Sequence, residues 1–230
     1  MLYTEEAVRA NLRSRDGKRV FFLGKQDTLT SAARDYLQRE RIEILPAEQA
    51  RPQRYRLLGG GYTEEKPEHM THLDGVTLAP KTHPRIVFRG KLDSLEARLI
   101  LCQRKAPEFD RELSELLSYT RRLLRCEVLG EKVEEGTLFG MTSQELRQRS
   151  HFPQDYYGQP HFMPEAADGE TMAQLNLARV AAREAELAAA AAFTDSDGRV
   201  TRPDLLKAMN RLSSAIYLLM IRQKRKEGSS

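Results

Sequence analysis

An alanine-rich stretch from about Glu170 to Phe193 is the feature that most limits how this chain can fold. Alanine is the strongest helix former, so the stretch reads as one long helix. Neighbouring segments show the same period. Leu92, Leu95, Leu99 and Cys102 recur at helical spacing, and Pro107 interrupts the pattern. Phe109, Leu113, Leu116, Leu117, Leu123 and Leu124 mark a second amphipathic helix. Thr142 with Glu145 forms a capping box for a short third one. A loop rich in aromatics and prolines follows, from His151 to Pro164. After a turn at Asp197-Gly198, Thr201, Pro203 and Asp204 open a last helix that runs to about Lys224. Four or five helices of this length pack most simply as an antiparallel bundle. The expected fold class is mainly α, with the helical domain over residues 70–228.

Residues 1–46 read differently, as a small α/β unit. Thr4 precedes a helical pattern through Val8 and Leu12, and Arg19 to Leu23 is a short apolar strand. Thr30 caps a helix through Tyr36 and Leu37, and Ile42 to Leu45 is a second strand. Strand, helix, strand in that order predicts a parallel pair joined by a crossover. Residues 47–69 are polar, with Pro52, Pro67 and a Gly59-Gly60-Gly61 run, and read as a linker. The glycines are not followed by Lys-Ser or Lys-Thr, which excludes a P-loop.

Composition narrows the function classes. The hydrophobic fraction of 40% over 230 residues is enough for a packed core. Charged residues reach 30%, yet the net charge is only +4 because acids and bases interleave. A pI of about 9.1 raises nucleic-acid binding as a reading. The interleaving argues for solvated helix faces instead of a basic stripe. The run from Arg222 to Lys226 reads as a solubilising tail. The two cysteines, Cys102 and Cys126, sit in helical, apolar contexts, so a reducing compartment is expected. The longest apolar run, Ala215 to Ile221, is far below the roughly 20 residues of a membrane span. No signal peptide is expected, and the expected location is the cytoplasm, away from membranes.

Two of the helices carry chemistry. Arg179 and Arg183 stand four apart on one face, and like charges there repel by a few tenths, about 0.2–0.5 kcal/mol. Arg179 has no carboxylate three or four residues away on its own helix, so something outside that helix should compensate it. A surface helix with unpaired arginines fits the spacing, and so does a polyphosphate site, since each guanidinium is a planar fork of donors. Glu186 lies one turn beyond Arg183, where it can orient it or touch a bound cation. In the last helix Leu205, Met209, Leu212, Ile216 and Leu219 form an apolar seam. Asn210, Ser213, Ser214 and Tyr217 form a polar stripe beside it, suited to an interhelical network or to the sugar or base of a nucleotide.

Three segments together resemble a known family. Leu175-Asn-Leu-Ala-Arg-Val-Ala-Ala-Arg-Glu-Ala-Glu186 is similar to the helix signature of PduO-type corrinoid adenosyltransferases, L-H-x-A-R-T-x-x-R-R-A-E-R. Asn210-Arg-Leu-Ser-Ser-Ala-Ile-Tyr217 is similar to its N-R-L-S-D-x-L-F, and Arg85 to Glu96 falls in register with R-x-x-A-Y-G-x-V-D-E-L-N. The ethanolamine-utilisation (EutT-type) branch is the nearer resemblance, through His83 to Ser94, Met163 to Gly169, Arg202 to Ser214 and Leu29 to Leu37. Two departures stand out. The phosphate loop T-K-T-G-D-x-G is replaced by Leu73 to Thr82, in which Lys81 and Thr82 are the candidate phosphate contacts. The C-C-x-x-C metal motif of some EutT-type enzymes is absent, which leaves His69 and His72 as a weak metal pair and no metal site from a protein motif.

The resemblance implies a transferase that moves the 5′-deoxyadenosyl group of ATP to cob(I)alamin, with magnesium accompanying ATP. It implies that Arg183 contacts the phosphates, that Asn210 and Glu186 fix the nucleotide and its magnesium, and that Arg179 pairs with Asp93 across helices or subunits. Cob(I)alamin would arise from four-coordinate cob(II)alamin, with Phe162 first and Phe152 second as the residue displacing the lower ligand, and His161 adjoining it. A reductase that supplies the electron, a trimer, and service to ethanolamine or diol utilisation, with a microcompartment association, are further implications. The competing reading is a non-catalytic corrinoid-binding or microcompartment-associated helical module, supported by the missing loop.

Overall fold

The computed structural model describes residues 1–15, 17–50 and 55–227. The chain forms two compact units, Met1–His83 and Pro84–Ser230.

In the first unit, short strands alternate with two capped helices. In chain order they are β1 (Leu2–Tyr3), α1 (Glu5–Ala10), β2 (Arg13–Arg15), β3 (Lys18–Leu23), β4 (Thr28–Leu29), α2 (Ser31–Arg39) and β5 (Glu43–Pro46). Then follow β6 (Tyr55–Leu57), β7 (Tyr62–Thr63), β8 (Met70–Asp74) and β9 (Thr77–Pro80). The hydroxyls of Thr4 and Thr30 accept from Ala7 and Ala33, filling orphan donors at the two helix starts. β3 and β5 pair in parallel with α2 as their crossover, as the strand–helix–strand pattern predicts. Val8, Phe21, Ala33, Tyr36 and Leu37 form the core of this unit.

The linker reading of 47–69 does not fit residues 55–63. β6 and β7 are antiparallel neighbours inside a seven-stranded sheet of order β5-β3-β2-β7-β6-β9-β8. The glycine run is the turn between them. Gly60 and Gly61 have φ of +95° and +83°, and a Cβ on Gly61 would meet the Leu12 carbonyl oxygen at 2.5 Å. Strands of two or three residues are too short to show a period-2 pattern, which is why polarity alone read as linker. Pro52 lies outside the described residues. Leu73 to Thr82, in the position of the missing phosphate loop, is largely the β8–β9 hairpin, with its turn at Gly75-Val76.

The second unit contains α3 (Pro84–Lys105), α4 (Asp110–Leu129), α5 (Ser143–His151), α6 (Pro153–Tyr157), α7 (Gly169–Phe193) and α8 (Pro203–Glu227). Gly130, with φ +69°, closes α4 in the left-handed conformation that glycine tolerates best. The capping box at Thr142 and Glu145 is present in both directions. The proline-rich loop expected from His151 to Pro164 instead begins as the end of α5 and holds the short α6, with Pro153 in its first turn. α7 packs along α3 and along α8, α4 lies against α3 and α8, and α5 lies against α8. Every residue of the predicted seam (Leu205, Met209, Leu212, Ile216, Leu219) is fully buried. Cys102 and Cys126 are free and buried, and burial pushes the Cys102 thiol up to about 12. Among the described residues no helix is long and apolar enough to cross a membrane.

Among the described residues one carboxylate is fully enclosed in this helical core. Glu127 of α4 is 0% exposed and receives the Nε–H groups of both Arg85 and Arg89 from α3. Arg85 also donates from Nη2 to the Glu127 carbonyl at 3.1 Å. A buried charge is tolerated only while it is paired, and removing one partner typically costs about 3–5 kcal/mol. Glu127→Gln should therefore lower the unfolding free energy by about 3 kcal/mol in urea denaturation. A loss below about 1 kcal/mol would show that the α3–α4 clamp contributes little.

Candidate functional site

The polar face of α7 and the polar stripe of α8 meet at a cavity of about 510 Å³. Helical spacing puts Arg179, Arg183 and Glu186 on one side of it, and Asn210, Ser213, Ser214 and Tyr217 on the other. His161, Phe162, Met163 and Pro164, from the segment after α6, cover one end. The volume falls within the range of small-molecule sites.

Among the described residues one hydrogen bond crosses directly between α7 and α8 on this face. Asn210 donates from Nδ2 to Glu186 Oε1 at 3.0 Å. Ser213 and Ser214 each donate to the Asn210 carbonyl at 3.1 Å, so their hydroxyls are satisfied within α8. The stripe is thus mostly locally bonded rather than an interhelical network.

Arg179 finds its partner on its own helix, one turn back. Its Nε and Nη2 donate to Asn176 Oδ1 at 3.2 and 3.0 Å. That partner is neutral. Burial and the nearby Arg183 both hold the Arg179 guanidinium below its usual range. Asp93 is exposed on α3, and within the described residues of this chain it forms no ion pair with Arg179. Arg183 is exposed at the cavity edge, and Glu186 is the single carboxylate among the lining residues. Two guanidiniums against one carboxylate leave the site electropositive, which suits an anion.

The covering segment is tied down by Tyr217. Its hydroxyl lies 3.0 Å from His161 Nδ1, and the two rings stack at 5.8 Å and 13°. His161 Nε2 lies 3.1 Å from the His151 carbonyl, which can only accept. In the neutral ring the proton is then on Nε2, and the Tyr217 hydroxyl donates to Nδ1. Phe162 stacks on the same tyrosine at 6.0 Å and packs against the helical core. Burial raises the Tyr217 hydroxyl above its ordinary range, with the Phe162 backbone N–H opposing.

Of the aromatics singled out in the sequence, Phe162 and His161 reach the cavity, while Phe152 is 58% exposed and does not line it. Lys81 and Thr82 follow β9 in the first unit and are exposed. His69 and His72 lie at the β8–β9 hairpin, with the His72 ring edge-on to Tyr55 at 5.5 Å. Among the described residues no group of three or more His, Cys, Asp or Glu could hold a metal ion. The anchoring part of Tyr217 is not visible in sequence, since its partner is 56 residues away.

A second cavity, about 660 Å³, is lined by Tyr119, by residues 132–138, and by Lys207 and Arg211 of α8. Its charges largely pair among themselves. Lys207 pairs with Glu135. Asp204 accepts from Arg202 and from the Val133 N–H, and the Arg202 hydrogen bond first of all brings it down to about 2.

Residues 61–223 match the family model described as cobalamin adenosyltransferase. This chain belongs to that family. The match takes in α3 to α8 and nearly all of the cavity-bearing unit. Among curated relatives, a "Corrinoid adenosyltransferase EutT" from Escherichia coli is 37% identical over 158 residues, 68% of this chain and 59% of that protein. The chain thus spans less than two thirds of that relative's length in the match. A "Corrinoid adenosyltransferase EutT" from Salmonella typhimurium is 31% identical over 242 residues, covering 95% of this chain and 90% of the relative.

Tyr217→Phe keeps the stacking and removes the hydroxyl. It should destabilise the protein by about 1 kcal/mol, the net worth of a typical hydrogen bond. It should also speed amide hydrogen exchange at residues 158–164. Unchanged exchange there would mean that the ring alone holds the segment.

Proposed function

We propose that this chain transfers the 5′-deoxyadenosyl group of ATP to the cobalt of a reduced corrinoid. Cob(I)alamin attacks C5′ of ATP, a cobalt–carbon bond forms, the C5′–O bond breaks, and triphosphate leaves with the bonding electron pair. The observation that carries this reading is the single cavity on which Arg179, Arg183, Glu186, Asn210, His161 and Phe162 converge. Membership of the cobalamin adenosyltransferase family and the EutT relatives support it.

Such a reaction needs little acid–base help. It needs the triphosphate held, its charge met as it departs, and the nucleophile in line. Arg183, exposed at the cavity, is the phosphate ligand in this reading, and Asn210 with Glu186 holds the nucleotide. Magnesium prefers to keep phosphate oxygens and waters as ligands, needing only one or two protein carboxylates. Glu186, the one lining carboxylate, fits that requirement, and magnesium bound with ATP would neutralise phosphate charge. Lys81 and Thr82 are proposed as further phosphate contacts. Phe162 is the residue proposed to face the lower side of the corrinoid, in place of its axial ligand, before a reductase delivers the electron. His161 and Tyr217 hold that ring in place. Phe152, exposed and off the cavity, is the weaker choice for this role.

The proposed assembly is a four-helix bundle of α3, α4, α7 and α8, with α5 beside it, repeated in a homo-oligomer, a trimer by family resemblance. Exposed Leu177, Val180 and Leu187 on α7 give such an assembly an apolar face. Asp93, exposed on α3, would meet Arg179 across that interface, supplying the carboxylate that Arg179 lacks within the chain. The setting proposed is cytoplasmic ethanolamine or diol utilisation, with a microcompartment association. A second reading, a non-catalytic corrinoid-binding module, is favoured by the β8–β9 hairpin standing where the phosphate loop would be.

Adenosylcobalamin formation from ATP and chemically reduced cobalamin separates the two. The enzyme reading expects turnover, and corrinoid binding without turnover would establish the second reading. Arg183→Ala should raise the KM for ATP by about tenfold or more with an unchanged melting curve, as loss of a charge-assisted phosphate contact does. Asp93→Asn and Arg179→Ala should each lower activity to a similar degree, and their double variant should be no worse than either. Additive losses would show that the two are not partners.

A further inference from the structure

Asn210 makes a hydrogen bond from α8 to α7 at the cavity, and its neighbour in sequence, Arg211, bonds the other end of its amide. Arg211 is 9% exposed, on the opposite flank of α8. Its Nη2 donates to Asn210 Oδ1 at 2.7 Å, and its Nη1 donates to the Ser143 carbonyl at 3.4 Å. Its Nε is buried with no partner among the described residues. Both acceptors are neutral, and no carboxylate forms an ion pair with Arg211 among the described residues. Burial lowers this guanidinium's pKa, Arg147 lowers it further, and Glu186 acts in the opposite direction. A buried cation held by carbonyls alone is costly to the fold.

The amide of Asn210 can accept at Oδ1 and donate twice at Nδ2. Arg211 can only donate, and ionised Glu186 can only accept. With Arg211 on Oδ1 and Glu186 on Nδ2 at 3.0 Å, the amide has one orientation. That orientation turns the nitrogen toward the cavity side, leaving its second N–H to meet an acceptor oxygen there.

We infer that Arg211 is a positioning residue for nucleotide binding: it locks the Asn210 amide so that Asn210 presents an N–H donor to a phosphate or ribose oxygen. Arg211 touches no substrate in this scheme. It lines the other cavity and acts through Asn210. The inference rests on the reading of this cavity as the ATP site.

The test is titration calorimetry of magnesium–ATP into the full chain, with steady-state kinetics alongside. Arg211→Met should weaken ATP binding about fivefold and leave the KM for cobalamin within twofold of wild type. Asn210→Ala should weaken ATP binding about tenfold. The double variant should match Asn210→Ala, because a positioning residue has nothing left to position. Arg211→Lys keeps the buried charge but loses the fork that serves Ser143 and Asn210 together. It should weaken ATP binding threefold or more, and it carries the test if Arg211→Met does not fold. ATP affinity within twofold of wild type in both Arg211 variants, or a double variant additive in its losses, would overturn the inference. An Asn210→Ala protein that binds ATP as wild type does would instead overturn the reading of the cavity as the nucleotide site, and the inference with it.

Discussion

Small side chains on one helix set the spacing on which the rest of the helical unit depends. Ala178, Ala181, Ala182, Ala185 and Ala189 are all buried on α7, where α3 and α8 pack along it. Alanine lets helix backbones approach closely, since there is little side chain to keep them apart. A helix held this way from two sides has few degrees of freedom left. Its remaining polar edge is therefore fixed against α8, and the Asn210–Glu186 hydrogen bond forms across the contact. A larger residue at an alanine that faces α8 would push the two helices apart and lengthen that bond.

The electrostatics of the site follow from that packing. Arg179 and Arg183 line one cavity with Glu186 as its single carboxylate, and Arg211 lines the other while still feeling Glu186. Burial opposes the charged form of two of the three and lowers the pKa of each. Guanidiniums gathered in this way repel one another, a cost that a polyanion would relieve. Elsewhere the same chain pairs its buried charges fully, as Glu127 does with Arg85 and Arg89. The contrast sets the cavity between α7 and α8, with two arginines and one carboxylate, apart from the paired charges elsewhere.

Much of this was legible in the sequence, for reasons that differ by region. Helical periodicity gave α3, α4, α7 and α8, because long amphipathic segments repeat their signal many times. The capping residues Thr30 and Thr142 marked helix starts because their chemistry is local. The sheet beyond β5 was not legible. β6 and β7 are two or three residues long and depend on pairing with distant strands, so their polar composition looked like a linker. At the site, Arg179, Arg183, Glu186 and Asn210 could be placed on common faces by counting residues. Their partners could not. Within the chain Arg179 bonds Asn176, a neutral neighbour on its own helix, and Tyr217 reaches His161 across a loop whose path no local pattern encodes. Arg211 escaped notice because a motif arginine beside an asparagine gives no sign of which way the asparagine faces.

The central claim is that ATP occupies the cavity between α7 and α8. A crystal structure of the full chain with magnesium–ATP and cobalamin tests it most directly. The account predicts phosphate oxygens within hydrogen-bond distance of Arg183, an acceptor oxygen of the nucleotide at Asn210 Nδ2, and Phe162 against the lower face of the corrinoid. Nucleotide bound instead in the cavity beside Tyr119 and Arg211, with Arg183 left in solvent, would contradict it.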